Sequence, residues 1–149
     1  MNNFFFKYIA PFYPALKNIL ALSVGFPTPE KIETILQHYS LASNFYLLGC
    51  FQQDILVGIV GFQCSEAAII INHLAVHESY QKRGVGRQLI EELVKQKLPL
   101  TVSAETDGDT VDFYKKCGFF CTEHSTKYGL RYICQLNKKI KWTSIKICI

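Results

Sequence analysis

The sequence predicts an α/β fold: a mixed central sheet of six to seven strands flanked by about four helices. Three observations carry that expectation. The 149-residue chain is 49% hydrophobic and 19% charged, which suits a globular domain with a real core and excludes a disordered or fibrous chain. Apolar runs of strand length alternate with segments whose apolar residues recur at helical spacing. The segments run helix, helix, three strands, helix, strand, helix, two strands, which is not a regular strand–helix repeat and so demands a mixed sheet.

Each element has its own signal. Residues 4–9 read as a first strand. Pro14 opens a short helix in which Leu16, Ile19 and Leu20 share a face. Thr28-Pro29-Glu30 starts a second helix with a hydroxyl cap, a proline at the first helical position and an acid in the first turn. Ile32, Ile35, Leu36 and Tyr39 then form one apolar stripe. The runs 45–51 and 55–64, separated by Gln52-Gln53-Asp54, read as a hairpin covered on both faces, and 67–76 adds a third strand. Val85, Leu89, Ile90, Leu93 and Val94 make the apolar face of a third helix. Residues 98–104 read as a strand. Asp109 caps a short helix that ends before Gly118, and 119–125 and 130–136 are the last two strands.

Charge and cysteine usage narrow the function classes. The formal net charge is +4, but residues 127–149 carry six bases and no acid, so residues 1–126 are slightly acidic. The basic character belongs to the C-terminal end, which argues against a nucleic-acid partner for the body. The domain expected is 1–137, with 138–149 a basic tail or an extra edge strand whose lysines discourage aggregation. Six cysteines lack Cys-x-x-Cys or ligand spacing, so reduced thiols, no metal and a cytoplasmic location are expected. Lys7, Pro11, Pro14 and Lys17 interrupt the apolar N-terminal region before it reaches the ~20 residues of a membrane span.

Two local patterns carry chemistry. The first is Gln81-Lys82-Arg83-Gly84-Val85-Gly86-Arg87, between a strand and a helix. A helix N-terminus presents unpaired N–H groups and a positive dipole end. Gly84 and Gly86 permit close approach of a phosphate, and Lys82, Arg83 and Arg87 add positive charge. It is neither a P-loop nor a dinucleotide fingerprint, since no Gly-Lys-Ser/Thr and no third glycine follow. The second pattern is Asp109-Thr-Val-Asp-Phe-Tyr-Lys-Lys-Cys-Gly-Phe119, which sets Tyr114 on a short helix where its hydroxyl can act as an acid. Taken alone, a Tyr beside a Phe on such a helix is more often a core residue.

Together the two patterns resemble the GNAT superfamily of acyl-CoA N-acyltransferases. Its phosphate-loop motif, Gln/Arg-x-x-Gly-x-Gly/Ala, is matched by Gln81, Gly84 and Gly86. Its later Phe-Tyr-x-x-x-Gly-Phe is matched by Phe113, Tyr114, Gly118 and Phe119. The likeness is at motif level over 67–121 and in element order over 11–66 and 122–137. It implies a sheet splayed between the fourth and fifth strands, with acetyl-CoA as co-substrate in the gap. It further implies that the amides around Lys82 to Arg87 bind the CoA pyrophosphate, with Asp109 and Phe113 also at the cofactor. The backbone of Leu74, Ala75 and Val76 would pair with the pantetheine arm, and Tyr114 would protonate the leaving thiolate.

The base stays open. Several family members place a Glu at the position of Ile70, which cannot serve. His73, Glu105 and, through a water, Asn72 are the candidates. Strand alternation would put Asn72 and His73 on opposite faces, so that only one of them points at the substrate. The expected activity is acetylation of a primary amine of a small molecule or peptide by direct attack, in a protein compatible with a homodimer. The alternatives are a non-catalytic acyl-CoA-binding module and a GNAT-type modifier of tRNA or ribosomal protein. Tyr13, Phe26, Tyr39 and Tyr128 are candidates both for the lining of an apolar acceptor pocket and for the core.

Overall fold

A computed structural model describes residues 3–137. The tail 138–149, read above as basic and strand-like, lies outside the described residues. Seven strands form one sheet: β1 (Phe4–Tyr8), β2 (Phe45–Gln52), β3 (Ile55–Cys64), β4 (Ala68–Val76), β5 (Thr101–Thr106), β6 (Phe120–Thr126) and β7 (Gly129–Asn137). Their spatial order is β1-β2-β3-β4-β5-β7-β6, and every pairing is antiparallel except β4 with β5. Four helices cover the sheet: α1 (Leu16–Leu20), α2 (Pro29–Leu41), α3 (Val85–Lys97) and α4 (Val111–Lys116). This is the mixed fold expected from the sequence.

The two faces of the sheet are buried by different helices. α1 and α2 pack Leu16, Ile19, Leu20, Ile32 and Leu36 on Leu47, Phe51, Leu56 and Ile59. α3 and α4 pack Leu89, Leu93, Val111 and Tyr114 against the opposite face, over Leu48, Val60, Phe62 and Val102. β2 and β3 are therefore apolar on both faces, which is why they read as unbroken hydrophobic runs. α2 starts as the sequence dictates: the Thr28 hydroxyl accepts from the Lys31 N–H at 3.1 Å, with Pro29 at the first helical position.

The differences from the sequence reading are local. The strand expected over 98–104 begins at Thr101, because Leu98 closes α3 in a left-handed conformation (φ 45°) and Pro99 lacks an N–H. Asp109 does not cap α4, which follows Thr110 without a side-chain cap; the Asp107 carboxylate instead holds the preceding turn, accepting from the Asp109 and Thr110 N–H groups at 3.0 Å each. The expectation of reduced thiols fails for one pair. Cys121 and Cys134 are direct cross-strand partners in β6 and β7, with Cα atoms 4.0 Å apart, and form a disulfide. A one-dimensional reading cannot pair residues 13 positions apart without the hairpin register.

Candidate functional site

The site begins with an interruption in β4. From Ile69 to Ile71 the strand is paired on both edges, the last parallel partner being Ala104 of β5. From His73 to Val76 only β3 pairs with it. The sheet is thus splayed between the fourth and fifth strands, and one backbone edge of Leu74, Ala75 and Val76 faces the gap, unpaired with β5. At the same place β4 carries a bulge: Gly61 of β3 opposes His73 and Phe62 opposes Ile71, so Asn72 is the extra residue.

The bulge corrects the alternation argument. Ile69 and Ile71 pack on the α3/α4 face, whereas beyond the bulge it is Leu74 and Val76 that do so. Ala75 packs on the α1/α2 face. Asn72 and His73 consequently turn to the same side, and both border one cavity.

That cavity, about 430 Å³, lies in the splay. It brings together His73, Leu74, Glu105, Thr110 and Tyr114, with Leu22 to Gly25 after α1 as the opposite wall and Arg131 at its side. A larger hollow of about 760 Å³ between α1 and α2 holds none of the sequence candidates. Of the aromatics proposed for an apolar acceptor pocket, Phe26 and Tyr128 are almost fully exposed and Tyr13 stacks edge-on against Phe51. Only Tyr39 reaches the site, and the cavity walls are mostly polar.

The three catalytic candidates sit in different electrostatic settings. Burial holds the His73 imidazole below its ordinary pKa, so it is neutral at pH 7. Its Nδ1 lies 2.7 Å from the Tyr39 hydroxyl, and its Nε2 has no hydrogen-bond partner among the described residues. Glu105 is already engaged: its Oε1 accepts from the Arg131 Nε at 3.2 Å, with His124 at 3.9 Å. Burial pushes the Tyr114 hydroxyl upward, with the neighbouring Cys117 adding to the shift, so it keeps its proton. Its hydroxyl has no hydrogen-bond partner among the described residues.

Local sequence explains why Tyr114 points where it does. α4 ends in a Schellman motif: the Phe119 N–H donates to the Tyr114 carbonyl at 3.0 Å and the Gly118 N–H to that of Lys115 at 3.0 Å. Gly118 supplies the required positive φ of 94°. The rings of Phe119 and Phe113 pack edge-on against Tyr114 at 5.2 Å each. The Phe-Tyr-x-x-x-Gly-Phe pattern is thus a helix stop that clamps one phenol.

The glycine loop forms the second part of the site. Gly84 (φ 83°) caps α3 without a side-chain bond, and the first helical hydrogen bond is from the Gln88 N–H to the Gly84 carbonyl at 2.9 Å. No amide from Lys82 to Arg87 makes a well-formed hydrogen bond within the described residues, which leaves a row of N–H donors at a helix N-terminus. Gln81 ties this loop to β4, its Nε2 donating to the Val76 carbonyl at 3.0 Å. Gly86 lies against the Phe113 ring, where a Cβ would come within 3.1 Å. The Arg83 guanidinium sits over Tyr80, and Arg87 donates to the Lys116 carbonyl at 3.1 Å, joining α3 to α4. Asp109 stays exposed at the turn before α4. Among the described residues, no group of three or more His, Cys, Asp or Glu can hold a metal ion. No helix among them is long and apolar enough to cross a membrane.

A splayed β4–β5 pair beside a free-amide loop suits a thioester carrying a pyrophosphate. Residues 26–133 match the family model for the acetyltransferase (GNAT) domain. The chain belongs to the GNAT acetyltransferase family. Solved structures agree on the fold. A GNAT family acetyltransferase from Elizabethkingia anophelis, with acetyl-CoA bound, has a TM-score of 0.73 at 17% identity, covering 92% of this chain and 99% of that one. The ribosomal-protein-S18-alanine N-acetyltransferase of Escherichia coli gives 0.70 at 20%, covering 90% and 93%. A Bacillus subtilis acetyltransferase in complex with CoA gives 0.71 at 17%, covering 92% and 100%. No curated protein matches the chain. As a GNAT acetyltransferase, the protein transfers acetyl from acetyl-CoA.

Two contributors escaped the sequence reading. From the sequence Tyr39 reads as pocket lining or core, and Arg131 only as one of the C-terminal bases at the end of a segment, 124–131, that shapes the acceptor site in the family. Tyr39 had one available clue: Gly61, a glycine inside a strand, marks a close approach. A Cβ there would run into the Tyr39 hydroxyl.

Proposed function

We propose that this GNAT enzyme acetylates a primary amine of a small molecule or peptide by direct attack, with His73 as general base and Tyr114 as general acid. The observation that carries this reading is the single cavity shared by His73, the free edge at Leu74 and Tyr114. His73 is preferred over Glu105 because it is neutral and its Nε2 is free, whereas Glu105 is committed to Arg131. The amides of Lys82 to Arg87 bind the pyrophosphate of acetyl-CoA, and the Leu74–Val76 edge takes the pantetheine arm as an added strand.

In the reaction the amine nitrogen attacks the thioester carbonyl carbon while its surplus proton passes to His73 Nε2. A backbone N–H of the Leu74–Val76 edge stabilises the oxyanion. Collapse breaks the carbon–sulfur bond, and the Tyr114 hydroxyl gives its proton to the departing thiolate. The proton held by His73 leaves to solvent, and solvent restores Tyr114. Because a thiol has an ordinary pKa of about 8.5, the acid assists a leaving group that is already competent.

The test is thiol release from acetyl-CoA against polyamines, amino acids, aminoglycosides and peptides with free α-amines. The peptides belong in the panel because the fold is shared with the ribosomal-protein-S18-alanine N-acetyltransferase of Escherichia coli. Acceptor-dependent thiol release supports the reading. Tight acetyl-CoA binding with no turnover on any amine would favour the non-catalytic module, which the apolar Ile70 motivates.

A further inference from the structure

We propose that Tyr39 is a positioning residue that fixes the tautomer of His73, through a side-chain chain running Gln63–Asn72–Tyr39–His73 behind the β4 bulge. The proposal rests on the reading of His73 as base and deepens it. Four observations carry it. The Tyr39 hydroxyl lies 2.7 Å from His73 Nδ1, on the side of the imidazole away from the free Nε2. Gly61 makes room for that hydroxyl, which is otherwise in collision with any side chain at the position. The bulge turns Asn72 to the same side as His73, and its Nδ2 is buried there with no hydrogen-bond partner among the described residues. The Asn72 Oδ1 in turn accepts from Gln63 Nε2 at 3.3 Å.

A base must present a lone pair, so His73 must carry its proton on Nδ1. Tyr39 then accepts from Nδ1–H and has to send its own proton elsewhere. Burial raises the Tyr39 pKa, so that proton is always present. Asn72 is the available acceptor. Turning the Asn72 and Gln63 amides together directs Asn72 Oδ1 at Tyr39 and keeps the contact between the two amides, with donor and acceptor exchanged. That arrangement also removes the orphaned Nδ2. When Nε2 takes the proton of the amine, the imidazolium keeps donating Nδ1–H to the Tyr39 oxygen, and the chain needs no rearrangement.

The titratable and charged groups facing His73 are Tyr39 from α2, Glu105 from β5, Asp107 before α4, Tyr114 from α4 and Arg131 from β7; β3 offers only Gly61. Removing the Tyr39 hydroxyl takes away the acceptor of the imidazolium and moves the pKa of His73 further down.

The experiment compares wild type with Tyr39→Phe, which keeps the ring, and Gly61→Ala, which displaces the hydroxyl but leaves Tyr39 in place. Two readouts apply: the pH profile of kcat and kcat/KM, and the ¹⁵N shifts of the His73 ring. The expected result is an Nδ1–H tautomer in wild type and its loss in both variants. The acid limb should move to lower pH, and kcat should fall about tenfold with little change in acceptor KM. A wild-type tautomer and acid limb in a folded Tyr39→Phe would overturn the proposal. His73→Gln separates the two layers. If it keeps activity and the acid limb, the base reading itself falls; if it loses both while Tyr39→Phe matches wild type, only the role of Tyr39 falls. Should Tyr39→Phe not fold, Gly61→Ala decides alone.

Discussion

Ile69 to Ile71 are paired on both edges, with β3 on one side and β5 on the other, whereas His73 to Val76, beyond the bulged Asn72, are paired with β3 only. The two halves of β4 belong to one strand, yet their side chains answer to different demands. In the first half Ile69 and Ile71 are buried in the core between the sheet and α3, and Ile69 to Ile71 have a strand neighbour on each side. In the second half the open edge exposes N–H and C=O groups, and the bulge turns Asn72 and His73 toward α2. An unpaired edge in a sheet interior is a liability unless something pairs with it. Here the edge borders a cavity at Leu74, which suits a ligand that completes the sheet.

Substitutions should separate the two halves, beginning with the strongest effect. Ile71→Ala, in the doubly paired half, should cost about 3 kcal/mol of stability, read by denaturant unfolding. Acetyl-CoA affinity of the folded fraction should hardly change; a large loss of affinity with intact stability would break the contrast. His73→Gln, in the open half, should do the reverse. We expect kcat to fall on the order of a hundredfold with acetyl-CoA binding retained, measured by steady-state kinetics and calorimetry. Gly84→Asp places a carboxylate on the free amides and strains a positive φ. It should weaken acetyl-CoA binding roughly thirtyfold, with a stability cost of only about 1 kcal/mol.

Two smaller effects sharpen the comparison. Tyr114→Phe should lower kcat about tenfold and leave acetyl-CoA affinity intact, since a thiolate departs with little help. A loss beyond a thousandfold would mean that the acid does more than assist. The last is a pH effect on folding. The folded His73 pKa lies below its unfolded value, so the unfolded chain binds more protons between the two. Stability is therefore full above about pH 6.5 and declines as pH falls toward the folded pKa. His73→Gln should remove that part of the decline, by less than about 1.4 kcal/mol for each pKa unit of depression, seen in unfolding midpoints at pH 7.5 and 5.5.

Much of this molecule was legible in one dimension. The apolar periodicity placed the four α-helices and seven strands of the described residues to within a few residues, because burial on one or two faces leaves a pattern in the chain. The glycine loop and the Phe113–Phe119 motif were legible because each satisfies a local backbone demand: a free helix N-terminus at Gly84, a left-handed stop at Gly118. Asn72 and His73 were misplaced for a physical reason. A single extra residue reverses the alternation of everything beyond it, and a bulge is visible only against the partner strand. The Cys121–Cys134 pair was missed on the same ground, since it depends on hairpin register.

The sequence by itself determined the α/β class, the element order, the glycine-loop motif and the short helix that carries Tyr114. These follow from local conformational preference and the period of hydrophobic burial. Only the tertiary structure decided which side chains meet in the splay. It coupled His73 to Tyr39 across the notch at Gly61, committed Glu105 to Arg131, and made the cavity polar. Those contacts join residues tens of positions apart, and their distances are set by strand register and helix packing, which no local window of the chain contains.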